Sequence, residues 1–244
     1  MIGFYNYTVI LTYISLISSI IGIACAKFNH PLMAIFALLF CGLCDMFDGK
    51  VARSKTDRTN EEKKFGIQID SLCDLVCFGV LPASICLEIW GESIHNRLMW
   101  VLITVICAFY VLAGLIRLAY FNVTEETRQS QTDEVRAKYQ GLPITTAALI
   151  IPVVYILRYF MPCNAFPWVY TGALLLVAIL FITPFSIKKP KLAASLVMLA
   201  AGLLIALILL FAAKHSRIKR AEQPRQAAKT SVEMLQASTN TEEL

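Results

Sequence analysis

Apolar segments long enough to cross a lipid bilayer recur along nearly the whole chain. A helix needs roughly 20 residues to cross a hydrocarbon core about 30 Å thick, and seven such segments are separated by short polar connections. This pattern predicts an all-α fold, a polytopic transmembrane helical bundle. The predicted spans are residues 6–27, 31–52, 66–92, 97–121, 141–161, 166–186 and 191–213.

The composition supports a membrane location. Of the 244 residues, 57% are hydrophobic and 16% are charged, and the mean hydropathy is +0.64, far to the apolar side of a soluble domain. Residues 214–244 are polar, as in a disordered tail. The eight cysteines lie in or beside apolar segments, so we expect no disulfide framework.

Basic residues mark one side of the predicted bundle. They cluster in the connections after the second, fourth and sixth spans, whereas the alternate connections carry few. Because Lys and Arg are enriched in cytoplasmic loops, these connections and the N-terminus are predicted to be cytoplasmic. A seventh span would carry the C-terminal tail outside, although that tail begins with several basic residues.

Four aspartates lie where two predicted spans approach the same membrane surface. Asp45 and Asp48 are near the end of the second span, and Asp70 and Asp74 are near the start of the third. Spacings of three and four residues put each pair on one face of its helix. Intramembrane carboxylates are costly unless they face a cavity or a counter-charge. Their repulsion calls for a divalent cation, and oxygen-only ligands favour Mg²⁺ or Mn²⁺.

Small and basic residues follow on the second span. Gly49 and Ala52 leave space for a base or phosphate to approach the backbone. Arg53 supplies a planar cation suited to phosphate oxygens. The two spans therefore indicate a site for a metal-bound diphosphate.

These residues resemble the signature of the CDP-alcohol phosphotransferase family, which reads DxxDGxxAR, a spacer, and GxxxDxxxD. The chain has DMFDGKVAR at residues 45–53 and GIQIDSLCD at residues 66–74, so all eight specified positions are present. The spacer, residues 54–65, is longer than is usual in the family. We interpret it as a loop insertion that affects only the shape of the pocket entrance.

The resemblance implies a six-helix catalytic core, typically homodimeric, in which an alcohol hydroxyl displaces CMP from a CDP-activated lipid. The core is assigned to residues 1–190, an additional transmembrane segment to 191–213 and the tail to 214–244. The implied metal ligands are Asp45, Asp48, Asp70 and Asp74, with Asp74 also the catalytic general base. The implied nucleotide and diphosphate residues are Asp48, Gly49, Ala52, Arg53 and Gly66.

Two further segments resemble the phosphatidylserine synthase branch of the family. They are DSLCDLVCFGVLPA at residues 70–83, and RLAYFN at 117–122 with YQGLP at 139–143. They imply CDP-diacylglycerol and L-serine as substrates and phosphatidylserine and CMP as products. The carboxylate and ammonium of serine need a cation and an acceptor, for which the candidates are Arg117, Lys138 and Asn122. Glycerol 3-phosphate, inositol phosphate and choline remain alternative acceptors.

The implied setting is a bacterial or archaeal cell membrane, with membrane lipids as partners, no nucleic acid, and an active site facing the cytoplasm. A polytopic transporter is the alternative from another class, although transporters usually place such charges near the midplane. An intramembrane aspartyl protease would need only two aspartates and no metal.

Two residue assignments also have alternatives. Cys41, Cys44, Cys73 and Cys77 have spacings that could form a thiolate zinc site, although small cysteines are common in buried helices. Arg117 could instead be an anchor whose charged end reaches the membrane surface.

Overall fold

The computed structural model describes Gly3, residues 7–55, Asp57 and residues 59–91, 96–131, 138–184, 186–188 and 197–215. This part of the chain is helical apart from two three-residue strands. The helices are α1 (Ile10–Lys27), α2 (Pro31–Ser54), α3 (Asn60–Asp74), α4 (Leu81–Trp90), α5 (Arg97–Gln131), α6 (Ala147–Ile156), α7 (Phe166–Ile182) and α8 (Val197–His215). A π-helix, Leu75–Val80, joins α3 to α4, and short 3-10 helices cover Tyr7–Val9, Ile144–Thr146 and Leu157–Tyr159.

The prediction of an all-α polytopic bundle is confirmed. Within the described residues, five helical segments are long and apolar enough to cross a membrane: Tyr7–Lys27, Pro31–Gly49, Asn60–Trp90, Arg97–Thr127 and Val197–His215. Two shorter apolar helices, Ile144–Tyr159 and Phe166–Ile182, coincide with the fifth and sixth predicted spans. Of the predicted tail, Lys214 and His215 belong to α8, and residues 216–244 lie outside the described residues.

Helices α1 and α2 pack closely because α1 buries small and weakly polar side chains. A Cβ atom added at Gly22 would lie only 2.8 Å from the Cβ of Ala37 on α2. Ser15 and Ser19 are also buried on α1. Small residues let the backbones of membrane helices approach closely, so α1 supports α2 along the approach to the four aspartates.

The π-helix begins directly after Asp74 and gives its carbonyl oxygens partners on neighbouring helices. The Tyr110 hydroxyl on α5 donates to the Phe78 carbonyl at 2.7 Å. The Ser19 hydroxyl on α1 donates to the Val76 carbonyl at 3.4 Å. π-Helices are frequent at functional sites. Because a π-helical turn contains more residues than an α-helical turn, the side chains after Asp74 point in different directions from those of a continuous α-helix.

The interpretation of residues 54–65 as a loop insertion is wrong for its second half, because α3 already begins at Asn60. The Thr59 side chain accepts a hydrogen bond from the Glu62 N–H at 3.1 Å, and the Glu62 carboxylate accepts one from the Thr59 N–H at 3.1 Å. This capping box satisfies free N–H groups of the first helical turn. Lys55 Nζ also lies 3.0 Å from Glu62 Oε1, so this ion pair ties the end of α2 to the first turn of α3.

A short two-stranded ribbon lies at the end of the bundle where α2 connects to α3. Strands β1 (Lys138–Gln140) and β2 (Ser186–Lys188) pair antiparallel, with Tyr139 opposite Ile187. These strands follow α5 and α7, and the same two helices pack against each other. The ribbon therefore links the chain segments that leave the bundle on the side where α2 ends.

Candidate active site

Helices α2 and α3 present the signature residues on facing sides. Asp45, Asp48, Gly49 and Ala52 all lie within α2, at spacings that share one helical face. On α3, Gly66, Asp70 and Asp74 follow each other at intervals of four residues. Both parts of the signature are helical throughout, so the spacing argument made from the sequence holds in the structure.

Three of the four aspartates form one close group. One carboxylate oxygen from each of Asp45, Asp70 and Asp74 lies within 4.8 Å of the other two. Asp74 is the most enclosed, with 9% of its surface exposed. Asp48 lies one helical turn after Asp45 on α2, so it borders this group without belonging to it.

This aspartate group carries concentrated negative charge. At a separation of 4.8 Å and an effective dielectric constant of about 20, two ionised carboxylates repel by about 3 kcal/mol. Among the described side chains, no Lys, Arg or His forms an ion pair with any of the four aspartates. A bound cation, or bound protons, would offset this charge, which no described basic side chain neutralises.

The donor set fits a hard divalent cation. All ligand atoms are carboxylate oxygens, which Mg²⁺ and Mn²⁺ prefer. Because an Mg²⁺–oxygen bond is about 2.1 Å, two oxygens on one ion can be at most about 4.2 Å apart. The three oxygens, which lie within 4.8 Å of one another, are within about 0.6 Å of that limit.

The cysteines near the aspartates make hydrogen bonds to α1. The Cys73 thiol donates to the Thr12 carbonyl at 3.2 Å, and the Cys41 thiol donates to the Ser15 carbonyl at 3.3 Å. Cys77 Sγ lies 3.7 Å from Cys73 Sγ. Among the described residues, Asp45, Asp70 and Asp74 are the one group of three potential ligands close enough to share an ion. The thiols therefore have a packing role between helices.

The predicted nucleotide residues extend from the aspartate group toward the end of α2. Gly49, Ala52 and, on α3, Gly66 are each partly exposed, so the small side chains border accessible space. Arg53 lies in the last turn of α2, and its side chain is outside the described residues.

Asn122, one of the three candidates for serine binding, contacts the signature helix α3. Its amide Nδ2 donates to the Ser71 hydroxyl at 2.8 Å. Ser71 follows Asp70 directly on α3, so this contact fixes α5 beside the aspartate group. Sequence reasoning did not select Ser71, although the residue lies within the DSLCD segment that carried the resemblance.

Arg117 is buried, with 6% of its surface exposed, so it is not an anchor that reaches the membrane surface. Its Nε donates to the Leu142 carbonyl at 3.0 Å, and its guanidinium lies 5.7 Å from the centre of the Phe121 ring. The adjacent Gly141 has φ +74°, and a Cβ there would lie 3.3 Å from the Thr183 carbonyl. Arg117 thus holds the turn into α6. The Lys138 backbone lies in β1, and its side chain is outside the described residues.

Most of the helical core matches known proteins. The family profile described as CDP-alcohol phosphatidyltransferase matches residues 5–184, which include α1 to α7 and end before α8. The chain is 34% identical over 158 residues to the CDP-diacylglycerol-serine O-phosphatidyltransferase of Saccharomyces cerevisiae, covering 60% of this chain and 53% of the yeast protein.

Two prokaryotic relatives give similar values. The protein of the same name from Helicobacter pylori strain J99 is 29% identical over 190 residues, covering 77% of this chain and 73% of the relative. The archaetidylserine synthase of Methanothermobacter thermautotrophicus is 31% identical over 158 residues, covering 65% and 58%. The match spans about half the length of the yeast relative. The extent of the family match and the aspartate group on α2 and α3 lead to one conclusion: the chain belongs to the CDP-alcohol phosphatidyltransferase family.

Proposed function

We propose that this protein transfers the phosphatidyl group of CDP-diacylglycerol to the hydroxyl of L-serine, giving phosphatidylserine and CMP. The observation that carries the proposal is the convergence of Asp45, Asp70 and Asp74 within 4.8 Å on two helices that bear the complete family signature. Serine is favoured because the names of all three relatives contain it: two are CDP-diacylglycerol-serine O-phosphatidyltransferases and the third is an archaetidylserine synthase.

A divalent-metal requirement is general in this family, and the aspartate group is the part of this protein that fits such an ion. Asp45, Asp70 and Asp74 would hold Mg²⁺ or Mn²⁺, with Asp48 beside them. When bound, the ion neutralises diphosphate charge and stabilises the departing phosphate. The burial of Asp74 and the small residues on α2 then determine where the two substrates lie.

Asp74 is assigned the proton transfer. Its carboxylate takes the proton of the serine hydroxyl, and the serine oxygen forms a bond to the phosphorus that carries diacylglycerol. The bond between that phosphorus and the bridging oxygen breaks, and CMP leaves with the electron pair. Gly49, Ala52 and Gly66 leave space for the nucleotide, and Arg53 offsets the phosphate charge. Holding both substrates in line supplies much of the remaining acceleration.

The serine pocket is assigned to the space beside the contact between Ser71 and Asn122. Both side chains carry oxygen acceptors for the serine ammonium group. Arg117 and Lys138 are the candidates for the serine carboxylate, and the burial of Arg117 would strengthen such a contact because charges interact more strongly away from water. We include in the proposal a homodimer and a site that faces the cytoplasm, following the positions of the basic connections.

The test measures CMP release by purified protein in lipid nanodiscs with CDP-diacylglycerol and Mg²⁺ or Mn²⁺. Serine, glycerol 3-phosphate, inositol phosphate and choline are added separately. We expect release with serine only, complete loss in EDTA, and recovery after metal is restored. Asn122→Ala should raise KM for serine and leave KM for CDP-diacylglycerol nearly unchanged.

Each other outcome has a definite meaning. Release with a different alcohol would retain the transferase chemistry and reject serine as the acceptor. Release that persists in EDTA would reject the metal assignment. The proposed activity would be rejected if no acceptor gave CMP release and a thermal unfolding curve showed that the protein was folded.

A further inference from the structure

A groove of about 460 Å³ lies between α2, α6 and α8. Its walls are apolar and include Phe36 and Phe40 from α2, Leu149 from α6 and Leu203 from α8. Its polar end is formed by Asp45, which also belongs to the aspartate group. The groove therefore joins the charged site directly to an apolar channel along the membrane part of the bundle.

Helix α8 forms one side of this groove while making few contacts with the core. Leu209 is fully buried and Ile205 is 8% exposed, whereas most other large side chains on α8 face outward. A Cβ added at Gly202 would lie 3.8 Å from Leu149 Cδ2. Gly202, Ile205 and Leu209 are spaced three and four residues apart, so α8 packs against the bundle through one narrow face.

The dimensions of the groove suit a single lipid chain. Along α2 its lining extends from Phe36 to Met46, about 15 Å at a helical rise of about 1.5 Å per residue. One leaflet of a bilayer core is about 15 Å, half of the roughly 30 Å total. A chain attached to a diphosphate at the aspartate group can thus lie in the groove within its own leaflet.

We propose that α8 is the outer wall of a binding groove for one acyl chain of the phosphatidyl donor, and that Gly202 and Ala206 determine which chains fit. This inference rests on the proposed function and adds a specificity element outside the residues matched by the family profile, which end at 184. The occupant is the donor's own chain because Asp45, a carboxylate of the proposed diphosphate site, also lines the groove.

The groove would select among acyl chains by their shape and length, and not by their hydrophobicity. Bilayer lipid tails are as apolar as the groove lining, so a chain gains little by leaving the bilayer for the groove. What distinguishes chains is the number of close van der Waals contacts and the absence of clashes. A large side chain at position 202 would occupy the space that a long chain needs.

The first experiment compares CDP-diacylglycerol with two 18-carbon chains and with two 6-carbon chains in wild type and Gly202→Leu. We expect kcat/KM for the long substrate, divided by that for the short one, to fall about ten-fold or more in the variant. Gly172→Leu on α7 is the matched control, because a Cβ there meets no atom within 4 Å. The ratio should stay at the wild-type value in this control.

The second experiment needs no turnover. CDP-diacylglycerol with a diazirine at the end of one acyl chain is photolysed with wild-type protein in nanodiscs without serine, and the labelled peptides are mapped by mass spectrometry. We expect labels on residues 198–206 that excess CDP-diacylglycerol removes and excess phosphatidylcholine does not. Equal competition by both lipids would identify a bulk-lipid site and overturn the inference.

The failures of the two proposals are distinguishable. Wild-type protein that releases no CMP from either substrate contradicts the proposed function. Active wild type with an unchanged ratio in Gly202→Leu, or with no label on α8, contradicts the groove assignment alone.

Discussion

The four signature aspartates differ in their surroundings, and these differences separate their roles. Asp74 is nearly enclosed, at 9% exposure, whereas Asp45 and Asp70 are partly exposed and group with it closely enough to hold an ion. Asp48 lies beside this group on α2. A base that removes a proton from a bound hydroxyl works best away from water, so the enclosed residue is the one to remove first.

Asp74→Asn keeps the size of the side chain and removes its capacity to accept a proton. We expect kcat for CMP release to fall by about 10²- to 10⁴-fold, the usual contribution of a general base. Because Asp74 also faces the ion site, the metal concentration needed for half-maximal activity should rise. Steady-state kinetics over a Mg²⁺ series measure both effects.

The control is Glu88→Gln, which neutralises a carboxylate paired with Lys27 at 3.4 Å at the opposite end of the bundle. Its rate should match that of wild type. An Asp74→Asn enzyme that turns over at more than a tenth of the wild-type rate would contradict the role as base.

The site residues fixed by spacing could be predicted from the sequence, and those fixed by packing could not. Asp45, Asp70 and Asp74 follow from helical geometry alone. Ser71 points to Asn122 on α5, and this pairing depends on how α5 crosses α3, which no local pattern specifies. The buried position of Arg117 likewise depends on the turn at Gly141, which closes only in the folded bundle.

At the level of elements, the π-helix after Asp74 connects the site to the core. Its carbonyl oxygens at Val76 and Phe78 accept hydrogen bonds from Ser19 on α1 and Tyr110 on α5. Periodicity could not predict it, because a segment that is apolar on all sides gives no register signal. The start of α3 at Asn60 was not predicted for a different reason: the polar residues 60–64 resemble a loop unless the capping box of Thr59 and Glu62 is considered.

Tyr110→Phe tests the importance of these contacts. Tyr110 is fully buried, and removing its hydroxyl leaves the Phe78 carbonyl without that 2.7 Å hydrogen bond. An unsatisfied buried acceptor costs about 1–3 kcal/mol, so we expect a loss of this size in the free energy of unfolding. Urea or thermal unfolding in a fixed detergent measures it.

Tyr13→Phe is the comparison, since the Tyr13 hydroxyl has no hydrogen bond with any described residue. Its unfolding curve should overlay that of wild type. Equal stability of the Tyr110 and Tyr13 variants would mean that the π-helix does not depend on its neighbour.

At the scale of the whole molecule, the two ends of the bundle are chemically different. One end holds the aspartate group, the capping box at Thr59 and the ribbon of β1 and β2. The opposite end holds the turns at Asn29 and at residues 162–165, and Trp90, which packs edge-to-face on Trp168 at 4.8 Å. Orientation in the membrane therefore decides which compartment supplies a water-soluble acceptor.

Cys163 reports this orientation, because it is exposed while the other seven cysteines are buried or partly buried. With the site facing the cytoplasm, a membrane-impermeant maleimide should label Cys163 in intact cells, and Cys163→Ser should abolish the label. Glu61→Cys in that background, on the exposed first turn of α3, should be labelled only after permeabilisation. The reverse pattern would place the site on the outer face.

The short connection between α2 and α3 has a consequence for how such proteins diverge. All eight signature positions lie within one continuous hairpin, residues 31–74, and the connection of residues 55–59 is tied by Lys55, Thr59 and Glu62. The contacts proposed for the acceptor and for the lipid chain combine residues of this hairpin, such as Ser71 and Phe36, with residues of α5, α6 and α8. Substitutions on α5, α6 and α8 can therefore change the fit of the alcohol or the lipid chain while the aspartates of the hairpin stay in place.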